Sequence, residues 1–262
     1  MLLIFLSDSF RKKTTGDSST CLFTETFVFR GGIYIVLNFQ RQNQMRIICM
    51  TNDAQLPMMK SMLMSAMKAG IDMSLFHCYV LASQKEVAIY GSPEFKSITI
   101  RKLEVILQNT YLDEDVMWVD NDIHFFQNCI ADVLTKSGNF IMQNDIWSPC
   151  TGFFLVRGND ASRSHLKKAI AWLKSNPSPS YNDQHAFKAC MNPIRGIDRI
   201  YLLDTEEYPN GEIYFNLNKK DKAKMVHCNY LTTTSQKEER LKAFGFWDDS
   251  DEAFYKTDII FC

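Results

Sequence analysis

Apolar and polar positions follow two rhythms along most of this chain: short unbroken apolar runs, and longer stretches with apolar residues every three or four positions. Arg46-Ile-Ile-Cys-Met50 is a run of the first kind and predicts a buried strand, with Thr51-Asn52-Asp53 as a polar break at its carboxyl end. Pro57 to Ala69 carries Met and Leu at helical spacing and Gly70 closes it, which predicts a helix with its Met-rich face in the core. Ser74 to Ala82 reads as a second strand. Phe95 to Gln108 reads as a helix with Ile100, Leu103, Ile106 and Leu107 on one side, and Val116 to Val119 as a third strand. This alternation predicts an α/β domain with a mostly parallel central sheet flanked by helices, whose ligands gather outside the carboxyl ends of the strands. Thr51-Asn52-Asp53 and Asp120-Asn121-Asp122 both fall at such ends.

Upstream of Met45 the pattern differs. Two strand-like runs, Cys21 to Phe29 and Ile33 to Phe39, flank Arg30-Gly31-Gly32 and predict a hairpin. The expected organisation is therefore an N-terminal extension over 1–44, a catalytic domain over 45–250 and a C-terminal tail over 251–262.

The 262 residues are 46% hydrophobic and 23% charged, enough for one sizeable core. A net charge of -1 provides no field for tracking a polyanion, so nucleic acid is not an expected partner. The cysteines at 21, 49, 78, 129, 150, 190, 228 and 262 stand singly, without the paired short spacings of a zinc site or a compact disulfide scaffold. They read mainly as reduced packing residues. Met1-Leu-Leu-Ile-Phe-Leu6 is too short to span a bilayer, and its basic group Arg11-Lys12-Lys13 follows the run instead of preceding it. No later segment reaches the ~18 uninterrupted apolar residues of a transmembrane helix. A cytoplasmic location is the simpler expectation, with the secretory pathway left open.

The chemistry begins at Val116-Met-Trp-Val-Asp120-Asn-Asp122. Side chains alternate along a strand, so Asp120 and Asp122 project to the same side where the apolar run stops. Two carboxylates on one face repel unless a cation lies between them, and hard cations such as Mg2+ and Mn2+ take oxygen ligands and substrate phosphate. Taken alone, such a pair also fits a solvated turn. Cys150-Thr151-Gly152 enters an apolar strand through a glycine, which fits either a bulge or close approach of backbone to a ligand. Asn182 or Asp183 fits the cap of a following helix. His227, in Met225-Val226-His227-Cys228-Asn229-Tyr230, fits a packed histidine or a metal ligand.

In this order the segments resemble the nucleotide-diphospho-sugar transferase family, glycosyltransferases of the A-type (Rossmann-like) fold. The resemblance runs from about Met45 to Trp247. It rests on Lys102 eighteen positions before Asp120, the Asp120-Asn121-Asp122 strand end, Thr151-Gly152-Phe153-Phe154 with Val156-Arg157, and Asp183-Gln184. Further on come Tyr208-Pro-Asn-Gly211 with Tyr214-Phe215, His227-Cys-Asn-Tyr230, Lys237 and Gly245-Phe-Trp247. It departs from the family pattern at Cys150, where Asn often precedes the Thr/Ser-Gly pair, and at Thr233, where glycine is common six positions after the histidine.

The resemblance implies a metal-dependent glycosyltransferase that moves a hexose or pentose from a nucleoside-diphosphate donor, most simply UDP-sugar, to a hydroxyl of a glycan, protein or small molecule. Asp120, Asp122 and His227 would hold Mn2+ or Mg2+ against the diphosphate. Lys102 and Lys237 would add positive charge there. Thr51, Asn121 and Asn229 would meet the donor, Thr51 at its nucleoside, and Thr151 and Gly152 would line the sugar pocket. Asp183 and Gln184 would orient donor sugar or acceptor, with Asp183 the general base if the reaction inverts and a positioning carboxylate if it retains.

Two other readings share the Asp-x-Asp signal. A haloacid-dehalogenase-like phosphohydrolase would use the first aspartate as nucleophile, but Ile123-His124-Phe125 lacks the hydroxyl residue expected soon after the second. An inactive sugar-nucleotide-binding module would not require Asp120, Asp122, His227 and Lys237 all to be retained.

Overall fold

A computed structural model describes residues 22–28, 34–40, 45–81, 88–111, 113–146, 148–191 and 200–262. The chain divides into two compact units, Met1–Asn43 and Gln44–Cys262. In the first, β1 (Leu22–Val28) and β2 (Tyr34–Gln40) pair antiparallel, Leu22 opposite Gln40 and Val28 opposite Tyr34. The expected turn residues Arg30-Gly31-Gly32 lie outside the described residues, as does Ala82.

The second unit runs β3 (Arg46–Asn52), α1 (Leu56–Lys68), β4 (Phe76–Leu81), α2 (Pro93–Asn109), β5 (Val116–Val119) and β6 (Ile123–Phe125). Then follow α3 (Ile130–Thr135), β7 (Phe140–Asn144), β8 (Pro149–Val156), α4 (Asp160–Ser175), α5 (Asp183–Cys190) and β9 (Ile200–Leu202). The last elements are β10 (Met225–His227), α6 (Thr234–Ala243) and β11 (Asp258–Phe261). Seven strands form one sheet in the order β11-β4-β3-β5-β8-β7-β9. Within it β8 alone runs against its neighbours, β5 and β7, and every other pair is parallel. The mostly parallel sheet expected from the alternation is therefore present.

Period-two burial explains why the strands read as unbroken apolar runs. Ile47 and Cys49 face one core with Met59, Met62 and Leu63 of α1, while Ile48 and Met50 face the other with Leu103 and Ile106 of α2, Leu166 of α4 and Phe187 of α5. A sheet covered on both faces needs apolar residues at every position. α1 and α2 begin at sequence-legible signals: Pro57 stands in the first turn of α1, and Ser92 caps α2 by accepting from Phe95 N at 3.1 Å.

The segment expected as a C-terminal tail is part of this unit. β11 is the edge strand beside β4, and Ala253 and Phe254 are buried in the core. Its Asp-Ile-Ile-Phe run is short and half-exposed, so the apolar signal is weak although the pairing is regular.

Two features carry the later strands to the rim where β3 and β5 end. Asp120 N donates to Gly152 O at 2.8 Å, just past the Val119–Phe153 pair, so the start of antiparallel β8 abuts the end of β5. A separate ribbon, β6 with β10, sets His227 opposite Ile123, next to Asp122.

Asp132 in α3 anchors the segment leading to this ribbon, accepting from Tyr208 Oη at 2.5 Å, Lys224 Nζ at 2.8 Å and Lys136 Nζ at 2.8 Å. Partial burial raises its pKa, but the bonds from Lys136, Lys224 and Tyr208 outweigh it and hold the carboxyl well below the usual carboxylate range. A depressed folded-state pKa means the stabilisation is complete above the unfolded value of about 3.9 and is lost as pH falls through the folded value. Asp132→Asn is therefore expected to melt below wild type at neutral pH, with the gap narrowing below about pH 4. Thermal melts across that range check it; a gap unchanged down to about pH 2 would contradict it.

Candidate active site

Asp120 leaves the end of β5 and Asp122 follows two residues on, while His227 ends β10. Folding brings these three, from segments about a hundred residues apart, to one point. One ligand atom from each lies within 4.8 Å of the others. His227 Nε2 is 3.2 Å from Asp122 Oδ1 and 3.8 Å from Asp120 Oδ2. All three expected metal ligands are thus assembled.

The orientation of His227 tests whether they fit a cation. Its Nδ1 lies 2.8 Å from Gln143 Oε1, while Gln143 Nε2 donates to the carbonyls of Tyr208 at 3.1 Å and Pro209 at 3.0 Å. An amide oxygen only accepts, so His227 Nδ1 carries the proton and Nε2 faces the carboxylates. Nitrogen and carboxylate oxygen at 3.2 Å need positive charge between them, either a proton on Nε2 or a metal ion. Two carboxylates and an imidazole suit Mn2+ or Mg2+, with a nitrogen ligand favouring Mn2+. Burial pulls the His227 pKa down, but the Asp122 charge outweighs it and holds the group well above its ordinary value. Burial likewise raises Asp122, yet Lys237 and His227 overcome it and drive its carboxyl far below the usual range.

Two lysines flank the carboxylates. Lys237 Nζ lies 2.7 Å from Asp122 Oδ2 and keeps about a quarter of its side chain exposed, at 24%. Lys102 is buried, its Nζ 3.2 Å from Asp120 Oδ1, 2.8 Å from Asp183 Oδ2 and 2.6 Å from Thr151 O. Burial lowers its pKa, but Asp120 and Asp183 more than compensate and keep it charged. Lys102 was expected to add charge to the diphosphate. Here it donates to Asp120 Oδ1 and Thr151 O and is ion-paired with Asp183, so it ties β5, β8 and α5 together. Trp118 Nε1 also donates to Asp120 Oδ1, at 2.6 Å.

Gly152 is required here by space. A Cβ on it would lie 2.1 Å from His227 Cε1 and 2.8 Å from Asp120 Oδ2. Of the two readings open at this position, the bulge is present, since Met142 faces Phe154 and Gln143 faces Cys150 with Thr151-Gly152-Phe153 between them on β8, and what lies close to the glycine is the histidine.

The cap of α5 is Asn182, which accepts from His185 N at 3.1 Å, leaving Asp183 in the first turn free to pair with Lys102. Gln184 Nε2 donates to Ser148 Oγ at 2.8 Å. Thr51 is buried at the end of β3, its hydroxyl donating to Asn52 O at 3.1 Å. Asn121 Nδ2 donates to Met50 O at 2.9 Å, and its buried Oδ1 has no hydrogen-bond partner among the described residues. Asn229 Nδ2 donates to Asp145 Oδ1 at 3.1 Å, and its Oδ1 accepts from Gly211 N at 3.3 Å. Asn210 Nδ2 reaches the same Asp145 oxygen at 2.8 Å.

Both departures from the family pattern have places. Cys150 Sγ lies 3.6 Å from His227 Nδ1, backing the imidazole. Thr233 caps α6, the helix that presents Lys237, accepting from Gln236 N at 3.2 Å.

Sequence reasoning passed over Gln143, Asp145 and the bond from Trp118. Gln143 had a signal, since a lone amide in the apolar run Phe140-Ile-Met-Gln-Asn144 must find partners once buried.

The model of the nucleotide-diphospho-sugar transferase family matches residues 62–241, more than half of the chain. The UDP-galactose:fucoside alpha-3-galactosyltransferase of Dictyostelium discoideum is 25% identical over 197 residues, covering 62% of this chain and 30% of that protein. A UDP-D-xylose:L-fucose alpha-1,3-D-xylosyltransferase of Arabidopsis thaliana is 25% identical over 192 residues, covering 63% of this chain and 53% of that one. This chain thus matches about half or less of the length of these relatives.

Among solved structures, a glycosyltransferase involved in glycosylation of the major capsid of PBCV-1 superposes with a TM-score of 0.54 at 14% identity. The match covers 76% of this chain and 99% of that one. The galactosyltransferase LgtC, solved with donor and acceptor sugar analogs, gives 0.50 at 12% identity over 80% of this chain and 99% of its own. The fold is the glycosyltransferase A-type fold. Among the described residues no helix is long and apolar enough to cross a membrane.

Proposed function

The chain belongs to the nucleotide-diphospho-sugar transferase family, and on that premise we propose that it transfers a sugar from a UDP donor to an acceptor hydroxyl with the help of a divalent cation. The observation that carries this is the convergence of Asp120, Asp122 and His227, with Lys237 beside them. Family membership displaces the phosphohydrolase reading. In the transfer, the bond from the sugar's anomeric carbon to the phosphate oxygen breaks and a bond to the acceptor oxygen forms. UDP leaves and the acceptor's proton is released to solvent.

Asp120, Asp122 and His227 would hold Mn2+ or Mg2+, which when bound supplies Lewis-acid charge to the departing diphosphate. Lys237, anchored by Asp122 with about a quarter of its side chain exposed, adds a second positive charge on the same side. Asn121 Oδ1 offers an unused acceptor to a donor hydroxyl at the ends of β3 and β5. Thr151 and Gly152 bring β8 against the cation ligands and line the sugar's place. Asp183, held by buried Lys102, acts as a positioning carboxylate next to the reacting carbon, with Gln184 orienting the acceptor side.

The two curated relatives named above both carry a UDP donor and a fucose acceptor in their names. UDP-galactose and UDP-xylose with fucoside acceptors are therefore the first substrates to try, and the test is release of UDP with and without Mn2+ and acceptor. Release that needs both is expected. Donor binding without release would show an inactive binding module. Lys237→Ala is expected to cut turnover about a hundredfold, with the melting temperature only slightly changed. Turnover equal to wild type would remove Lys237 from the mechanism.

A further inference from the structure

Gln143 is fully buried, at 0% exposure, although it lies in a strand of apolar residues. Leaving any of its amide atoms unpaired there would carry the full desolvation penalty of that group. The β7–β8 register shifts between Met142 and Gln143, with the extra residues Thr151 to Phe153 on β8, so the strand facing Gln143 bulges at the residues that meet His227. Here the amide reaches across to the site with every polar atom matched: two protons to the carbonyls of Tyr208 and Pro209, and the oxygen to His227 Nδ1 at 2.8 Å. The Tyr208-Pro209 segment is itself tied to the histidine, since His227 N donates to Pro209 O at 3.2 Å.

We infer that Gln143 is a positioning residue that fixes the tautomer and ring angle of His227, so that Nε2 is offered to a divalent cation together with Asp120 and Asp122. This rests on the metal-dependent reading of the site proposed above. The amide oxygen does the orienting, while the two amide protons hold the loop. These two jobs separate by substitution. Gln143→Glu keeps an acceptor facing Nδ1 but loses donors to the carbonyls, and Gln143→Leu loses both at similar volume.

The test is Mn2+ affinity, measured on the full chain by electron paramagnetic resonance of free Mn2+, alongside thermal melting. Both variants are expected to melt below wild type because both abandon the carbonyls. Affinity is expected to split: Gln143→Leu about 10–100-fold weaker than wild type, Gln143→Glu within about threefold of it. Equal loss of affinity in both would make Gln143 a loop anchor only and overturn the inference. So would wild-type affinity in Gln143→Leu. Wild type that binds no Mn2+ would instead remove the metal reading itself, and the inference with it.

Discussion

Asp122→Ala is expected to lower sugar transfer about a thousandfold or more, the loss of several kcal/mol of charge stabilisation at tenfold per 1.36 kcal/mol. Asp122 combines two roles: one oxygen faces His227 Nε2 at 3.2 Å, closer than Asp120 does, and the other holds Lys237 Nζ at 2.7 Å. Removing it leaves the lysine without its buried partner and the imidazole without its nearest acid. The core lies elsewhere, in the two apolar clusters on either face of the sheet, so the chain is expected to stay folded. Asp122→Asn serves as the shape-preserving control, keeping two polar atoms in place while losing the charge. Circular dichroism and UDP release on the same samples decide it: a folded variant with wild-type turnover would take Asp122 out of catalysis.

The second large effect is expected from a single methyl group. Gly152→Ala places a carbon 2.1 Å from His227 Cε1, where non-bonded carbons settle at about 3.5–4.0 Å. Something must move, and the choices are poor. The imidazole is buried and held at Nδ1 by Gln143, and the backbone of Gly152 accepts from Asp120 N at 2.8 Å. Overpacking of this kind costs about 1–3 kcal/mol of stability. Displacing a cation ligand by about 1 Å costs about a hundredfold in rate. The variant is therefore expected to melt lower, bind Mn2+ weakly and turn over at about 1% of wild type or less. Unchanged Mn2+ affinity would show that His227 can retreat without leaving the site, and would detach the glycine from metal binding.

How far the site was legible depended on where each residue sits relative to its own strand. Asp120 and Asp122 stood out as two acids one residue apart at the end of an apolar run, but alone they also fit a solvated turn, and the ordered set of family residues was needed to favour a ligand pair. Asp183 was ambiguous alone, and the structure divides the pair by giving the cap to Asn182 and the ion pair to Asp183. His227 needed the family resemblance: nothing in Met225-Val-His227 reveals that a two-stranded ribbon will set it beside Asp122. Lys102 could be picked out, but its protein partners could not, since Asp120, Asp183 and Thr151, on three elements, meet it only after folding. Gln143 was missed because one amide in a strand is easily taken for a strand end. The fold was more accessible than the site. Strand-helix alternation predicts the parallel sheet, while the antiparallel course of β8 and the edge strand β11 depend on pairings between distant segments.

The most direct check on the whole account is an anomalous-scattering map from crystals grown with Mn2+ and UDP. A single peak bonded to Asp120, Asp122 and His227, in contact with the diphosphate and within reach of Lys237, is the predicted result. A diphosphate seated away from these three side chains, or manganese bound elsewhere while they pair only with one another, would contradict it.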